Sequence, residues 1–71
     1  MKSHYIAFNV GGMVNENCAD TIKAALTKLN GVYEVITDIN SKRVAIEYDE
    51  ERIDDDILKE ALEVAGYNAK R

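Results

Sequence analysis

The sequence predicts an α+β domain of the ferredoxin-like class, in which a four-stranded antiparallel sheet, in strand order 4-1-3-2, carries two helices on one face. One observation is that apolar residues alternate in three stretches, which is the period of a half-buried strand. Another is that two further stretches repeat apolar residues at helical spacing. With a short, weak strand at the end of the chain, the order of elements is β-α-β-β-α-β, and right-handed crossovers then require both helices to cover the same face.

The first strand and the first helix are separated by a pair of glycines. Residues 4–10, HYIAFNV, alternate so that one face is apolar. Gly11 and Gly12 end this strand because glycine tolerates the φ values of a sharp turn. A helix over about residues 16–29 follows, and Gly31 is placed just past its end. Its apolar stripe consists of Ile22, Ala25, Leu26 and Leu29.

A hairpin, a second helix and a short last strand make up the other half. Residues 32–39 and 43–48 both alternate, and the polar segment NSK between them predicts a hairpin loop at 40–42. A helix over 54–65 begins at Asp54, a favourable N-cap residue, and Gly66 follows its end. Its apolar face consists of Ile57, Leu58, Ala61, Leu62 and Ala65. Residues 67–70 complete the sheet as a weak fourth strand.

This topology predicts which residues are buried and which loops meet. The predicted core includes Phe8, Val10, Ile22, Leu26, Val35, Val44, Ile46, Leu58 and Ala61. One end of the domain should gather the loops at 11–17, 40–42 and 66–67, and the other end should gather His4, residues 30–31 and the acidic segment 49–54. His4 lies about six strand residues from the first loop, roughly 20 Å away, so it cannot share a metal with Cys18.

Length and composition exclude several classes of function. The 71 residues form one domain, residues 1–71, and a single cysteine cannot make an internal disulfide. We find neither a signal peptide nor a membrane span, so we expect a soluble, cytoplasmic chain without membrane insertion. The net charge of −4 and the lack of a basic stripe argue against a nucleic-acid partner. The sequence contains no catalytic constellation, so we do not expect an enzyme. The acidic run at residues 48–56 is interpreted as a solvated turn before a helix.

The segment GGMVNENC, residues 11–18, contains the one cysteine of the chain. Asn15 falls where the first helix begins, and asparagine is among the best N-cap residues. Cys18 would then be the third residue of the helix, where the helix macrodipole lowers the pKa of a thiol. The residues alone leave two interpretations of Cys18 open, a small buried side chain or a partly exposed thiol that binds metal or reacts.

Four segments, GGMVNENC, ALTKLNGVYEV, VAIEYD and ALEVAGYNAK, resemble the heavy-metal-associated domain family over nearly the whole chain. That family includes small copper chaperones, mercury carriers and N-terminal modules of P-type ATPases, and it usually binds one soft metal through a Gly-Met-x-Cys-x-x-Cys loop. Gly12 and Met13 match the loop and Cys18 matches its second cysteine, but Asn15 stands where the first cysteine should be. The resemblance implies Cys18 as the metal ligand, with Met13, Asn15 and Tyr67 as candidate neighbours in the loop region.

Three functional hypotheses follow for this departure from the family pattern. The leading one is a carrier of Cu(I) or another soft metal whose second thiolate comes from another copy of the chain, from a partner domain such as that of a metal-transporting P-type ATPase, or from glutathione. The second is an interaction module that binds no metal. The third is a redox-responsive domain that forms intermolecular disulfides through Cys18. Sequence leaves open which metal is bound and whether the chain is freestanding or a module of a transporter.

Overall fold

The computed structural model describes residues 3–70, and the six elements follow one another in the predicted order. The sheet order is β2-β3-β1-β4 with every neighbouring pair antiparallel, which confirms the predicted topology. The elements are β1 (Ser3–Gly11), α1 (Glu16–Thr27), β2 (Val32–Asp38), β3 (Arg43–Asp49), α2 (Asp55–Val64) and β4 (Asn68–Lys70). Neither helix in this part of the chain has the length and hydropathy that crossing a bilayer requires.

The core lies between the helices and the sheet face that they cover. Its fully buried side chains come from the sheet, from both helices and from the loop before α1. All of the predicted core residues except Ala61 are buried. Ala61 is only half-buried and Ile57 is 42% exposed, because both residues line an open groove between α1 and α2, although Ala61 still packs against the edge of the core. The helix α1 also ends earlier than predicted, at Thr27, since the chain turns there and Leu29 packs against the core from outside the helix.

A β-bulge interrupts the pairing of β2 with β3, which the simple alternation of residues 32–39 did not predict. Val32 lies opposite Tyr48 and Glu34 opposite Glu47, so Tyr33 is the extra residue. The bulge allows Val32 to pack against the core while Tyr33 remains half exposed. In this position the Tyr33 hydroxyl donates a hydrogen bond to Oδ2 of Asp49, at 3.2 Å.

Asp49 corrects the interpretation of the acidic run as uniformly solvated. Its exposed fraction is only 5%, and its carboxylate accepts hydrogen bonds from the backbone N–H of Glu51 and from Tyr33. Nε of Arg52 lies 3.5 Å from the same carboxylate. Because a buried carboxylate needs such partners, Asp49 stabilises the turn between β3 and α2, while residues 50–52 are exposed as predicted.

Contacts between loops confirm which segments share each end of the domain. At one end the Val10 N–H donates to the carbonyl of Lys42, and Tyr67 packs against Gly12. At the other end the Asp49 N–H donates to the carbonyl of Gly31 at 2.7 Å, and Nδ1 of His4 lies 3.9 Å from Glu50. The loop that precedes α1 and the acidic segment therefore occupy opposite ends, as the sequence predicted.

Candidate metal-binding loop

The loop between β1 and α1 has a buried half and an exposed half. Gly12 has φ +95°, a backbone conformation that residues with a Cβ atom rarely adopt. Met13 follows with no exposed surface and belongs to the core, whereas Val14 is 66% exposed. The buried methionine anchors the loop to the domain, so its thioether lies among core side chains rather than in solvent.

Asn15 is the N-cap of α1. Its backbone is extended, with φ −150° and ψ 176°, and its side-chain Oδ1 accepts a hydrogen bond from the backbone N–H of Cys18 at 3.1 Å. The predicted capping role is therefore confirmed, and Cys18 is the third residue of the helix. The asparagine oxygen already has a partner within the fold, and an amide oxygen is in any case a weak donor for soft metals.

Cys18 is a half-buried free thiol surrounded by hydrogen-bond donors. The Tyr67 hydroxyl is the main cause that lowers the pKa of this thiol, followed by the backbone N–H of Val14 and, more weakly, that of Asn15. Partial burial opposes them, but the net direction is downward. The direction is the one predicted from the helix macrodipole, whereas the principal cause is the tyrosine on another element.

Tyr67 follows Gly66 and closes one side of the loop. A Cβ placed on Gly12 would lie 3.6 Å from Cδ1 of Tyr67, so the aromatic ring packs on the glycine backbone. The hydrogen bond to Cys18 and then burial raise the pKa of Tyr67, while Thr21 opposes the shift. The two pKa shifts have opposite directions, so Cys18 ionises at a lower pH than Tyr67.

Sequence reasoning placed Tyr67 near the loop but did not find its hydrogen bond with Cys18, and it missed Thr21 altogether. Thr21 lies three residues after Cys18, so both side chains occupy the same side of α1. Its hydroxyl donates to the carbonyl of Asn17 at 3.0 Å and also contacts Tyr67. The helical spacing of the cysteine and the threonine was the signal that would have identified this contact.

The loop contains one of the two thiolates that a low-coordinate soft ion requires. Cys18 offers a thiolate that is partly accessible, while Met13 is buried and the oxygen of Asn15 is engaged as a cap. Cu(I) and similar ions prefer thiolates at low coordination number, so one copy of this loop leaves such an ion short of one sulfur. The donor set fits a soft ion only when a second thiol is added.

A separate group of potential ligands lies at the opposite end of the domain. Within residues 3–70, oxygens of Asp54, Asp55 and Asp56 lie within 4.8 Å of one another. Oδ1 of Asp54 accepts a hydrogen bond from the Ile57 N–H at 3.0 Å, which makes this residue the N-cap of α2. Carboxylates at the N-terminus of a helix complement its macrodipole, which accounts for these three residues structurally.

Comparison with known sequences decides the family. The sequence profile of the heavy-metal-associated domain matches residues 7–68. The chain belongs to the heavy-metal-associated domain family. This heavy-metal-associated domain is also similar to the copper chaperone CopZ of Staphylococcus haemolyticus, with 40% identity over 62 residues that cover 87% of this chain and 91% of the relative.

Solved structures of other proteins share the fold of this heavy-metal-associated domain. Oxidized MerP from Ralstonia metallidurans CH34 superposes with a TM-score of 0.92 at 25% identity, covering 97% of this chain and 96% of that one. A copper binding domain from HMA7, a P-type ATPase, superposes with a TM-score of 0.90 at 29% identity, covering 93% and 89%. The arrangement of two helices on a four-stranded sheet is thus that of the family.

Proposed function

We propose that this domain carries a soft metal ion, with Cu(I) as the first candidate cargo, and that Cys18 is its thiolate ligand. The observation that carries the proposal is the environment of Cys18, a partly accessible thiol whose pKa is lowered by Tyr67 and by backbone N–H groups. Metals bind the thiolate rather than the thiol, so a lowered pKa favours binding near neutral pH. Membership of the family and the similarity to a copper chaperone support the same conclusion.

The second sulfur comes from outside the chain in this proposal. Val14 is exposed beside Cys18 at one end of the domain, so another protein or a small thiol has access to the loop. Candidate donors are Cys18 of a second copy, a thiolate of a metal-binding domain of a P-type ATPase, and glutathione. A single reduced cysteine suits a reducing compartment, so we place the carrier in the cytoplasm.

The remaining loop residues have supporting roles. Met13 anchors the loop in the core, and Asn15 orders the first turn of α1 through its hydrogen bond with the Cys18 N–H. The Tyr67 hydroxyl lowers the pKa of Cys18 through a hydrogen bond, which favours the thiolate. The turn is thereby ordered by protein contacts alone, whereas a two-cysteine loop would have a second thiolate in the place of Asn15.

Competition for Cu(I) tests this proposal. The reduced protein is titrated against a Cu(I) chelator in three forms: the parent, Cys18→Ser and Asn15→Cys. We expect weak binding by the parent, no binding by Cys18→Ser, and binding tighter by orders of magnitude for Asn15→Cys, because two thiolates then come from one chain. Added glutathione should increase copper retention by the parent but not by Cys18→Ser. Equal competition by the parent and Cys18→Ser would refute the assignment of Cys18.

The same environment favours a second candidate function, reversible disulfide formation. A lowered pKa increases the thiolate fraction, which speeds both oxidation and disulfide exchange. Oxidation with a mild thiol oxidant, followed by mass measurement without reductant, distinguishes the two. Disulfide-linked dimers together with no copper retention would favour the redox function. The absence of both would leave a metal-free interaction module as the better account of this scaffold.

A further inference from the structure

The face of the sheet that the helices leave open has an apolar centre. On β3 the outward positions are Arg43, Ala45 and Glu47, which alternate with buried residues. Ala45 pairs with Ala7 on β1 and with Ile36 on β2, so one row across three strands is apolar. Ile36 is 51% exposed in this row, which makes it a large apolar side chain without cover.

Charges of opposite sign flank this apolar row. Arg43 and Glu47 lie two residues to either side of Ala45, each about 7 Å away along the strand. The row that contains Glu47 also includes Glu34 and Tyr5, which makes that end of the face acidic. In the row that contains Arg43, Asn9 lies on β1, Asp38 on β2 and Lys70 on β4. The negative charge of Glu47 raises the pKa of Tyr5, which is consistent with an acidic end.

We propose that a second copy of this chain packs on the open sheet face about a two-fold axis that passes near Ala45, with Arg43 of each copy over Glu47 of the other. A two-fold interface requires that if one residue contacts another, the reciprocal contact also forms. The order Arg43, Ala45, Glu47 along β3 satisfies this requirement, since rotation about Ala45 exchanges the positive and the negative position.

Packing and charge together determine how strong this association is. The small side chains of Ala7 and Ala45 allow sheets to approach to the usual separation of about 10 Å, and Ile36 of one copy lies beside Ile36 of the other. At the rim, Glu34 of one copy faces Asp38 of the other, and this repulsion between like charges reduces the attraction of the Arg43–Glu47 pairs, which contributes to a weak association.

The area of this face predicts a weak dimer. Three strands at about 4.8 Å and five residues at about 3.3 Å give a footprint of roughly 250 Å² per copy, well below the ~800 Å² of a standard interface. We therefore expect a dissociation constant of roughly 0.1–1 mM that increases with salt. In this arrangement the Cys18 loops lie at opposite ends of the dimer, so the inference does not depend on the proposed metal binding.

Sedimentation equilibrium of the reduced, metal-free protein at up to millimolar concentration tests the inference. We expect self-association at low salt that is lost at about 0.5 M salt and is retained in Cys18→Ser. Arg43→Glu and Glu47→Arg should each weaken self-association by roughly five- to thirtyfold, because each replaces two attractive pairs by two repulsive ones. A one-to-one mixture of these variants should associate again, since both pairs then have opposite charges.

Matched controls place equal charge changes on the far side of the domain. Lys59→Glu and Glu63→Arg alter exposed residues of α2, and neither should change self-association by more than about twofold. A parent that stays monomeric at every concentration would overturn the proposal and leave the face to a different protein or to solvent. Controls that weaken association as much as the face variants, or a mixture of those variants that stays monomeric, would also overturn it.

Discussion

Replacing Asn15 by alanine removes one capping hydrogen bond while leaving the fold otherwise intact. The bond joins Oδ1 of Asn15 to the backbone N–H of Cys18 at 3.1 Å, at an exposed position where water replaces part of its contribution. Caps of this kind contribute about 1 kcal/mol, within a range of roughly 0.5–2 kcal/mol. In a domain of 71 residues, that loss lowers the melting temperature by roughly 4–8 °C.

Urea denaturation followed by circular dichroism measures this loss as a change in the free energy of unfolding. Asn17→Ala is the matched control, because it removes the same amide from an exposed position inside α1, where alanine is the better helix former. Asp54→Ala, which removes the cap of α2, should cost about as much as Asn15→Ala. If Asn15→Ala is as stable as Asn17→Ala, the account of Asn15 as a structural replacement for a ligand is refuted.

Asn15→Cys separates stability from metal affinity at the same position. This substitution also removes the amide that caps α1, so without metal we expect a loss close to that of Asn15→Ala. A bound soft ion should then restore stability in proportion to its affinity, because it binds only the folded loop. Thermal denaturation with and without Cu(I) measures both effects, and no stabilisation by copper would contradict the two-thiolate interpretation.

Further predictions concern the thiol and the turns. Tyr67→Phe should move the pH inflection of Cys18 alkylation upward because it removes the main donor to the thiolate, whereas Tyr5→Phe should leave it unchanged; an equal inflection in both variants would refute the contact. Since the pKa of Cys18 is lower in the folded chain, its ionisation stabilises the fold as pH rises from the folded to the unfolded pKa, and Tyr67→Phe should reduce that gain in urea denaturation. Gly31→Ala should cost more than the roughly 1–2 kcal/mol of backbone strain expected for Gly66→Ala, because a Cβ at Gly31 would lie 3.1 Å from Cβ of Arg52. Equal unfolding free energies for the two alanine variants would contradict this.

Most of the fold could be predicted because its signals are local. Alternation identifies three strands and helical spacing identifies both helices, while the fourth strand was only a weak prediction from the short segment after Gly66. The handedness of crossovers then fixes the strand order. The β-bulge at Tyr33 and the burial of Asp49 could not be found this way, because each depends on contacts between residues 13 to 16 positions apart. Ala61 was wrongly predicted to be buried because helical spacing identifies an apolar side but not how closely the neighbouring helix covers it.

The candidate site divides in the same manner. The helix begins at Glu16, directly after Asn15, so the capping role of Asn15 and the position of Cys18 in the first turn are both local features. The sequence was therefore sufficient to predict both. The hydrogen bond between Cys18 and Tyr67 joins residues from opposite ends of the chain, and only the packing of the last turn against Gly12 brings them together. Metal binding itself stays a prediction, because a second sulfur from another molecule leaves no signal in one sequence.

Native mass spectrometry of the reduced protein after addition of Cu(I) and desalting tests most directly whether Cys18 is the metal ligand. With one thiolate per chain, the account predicts one copper ion per two chains, conversion to a monomer carrying copper and glutathione when that thiol is added, and neither species for Cys18→Ser. A monomer that retains no copper under both conditions, or a copper-bound species that persists in Cys18→Ser, would contradict it.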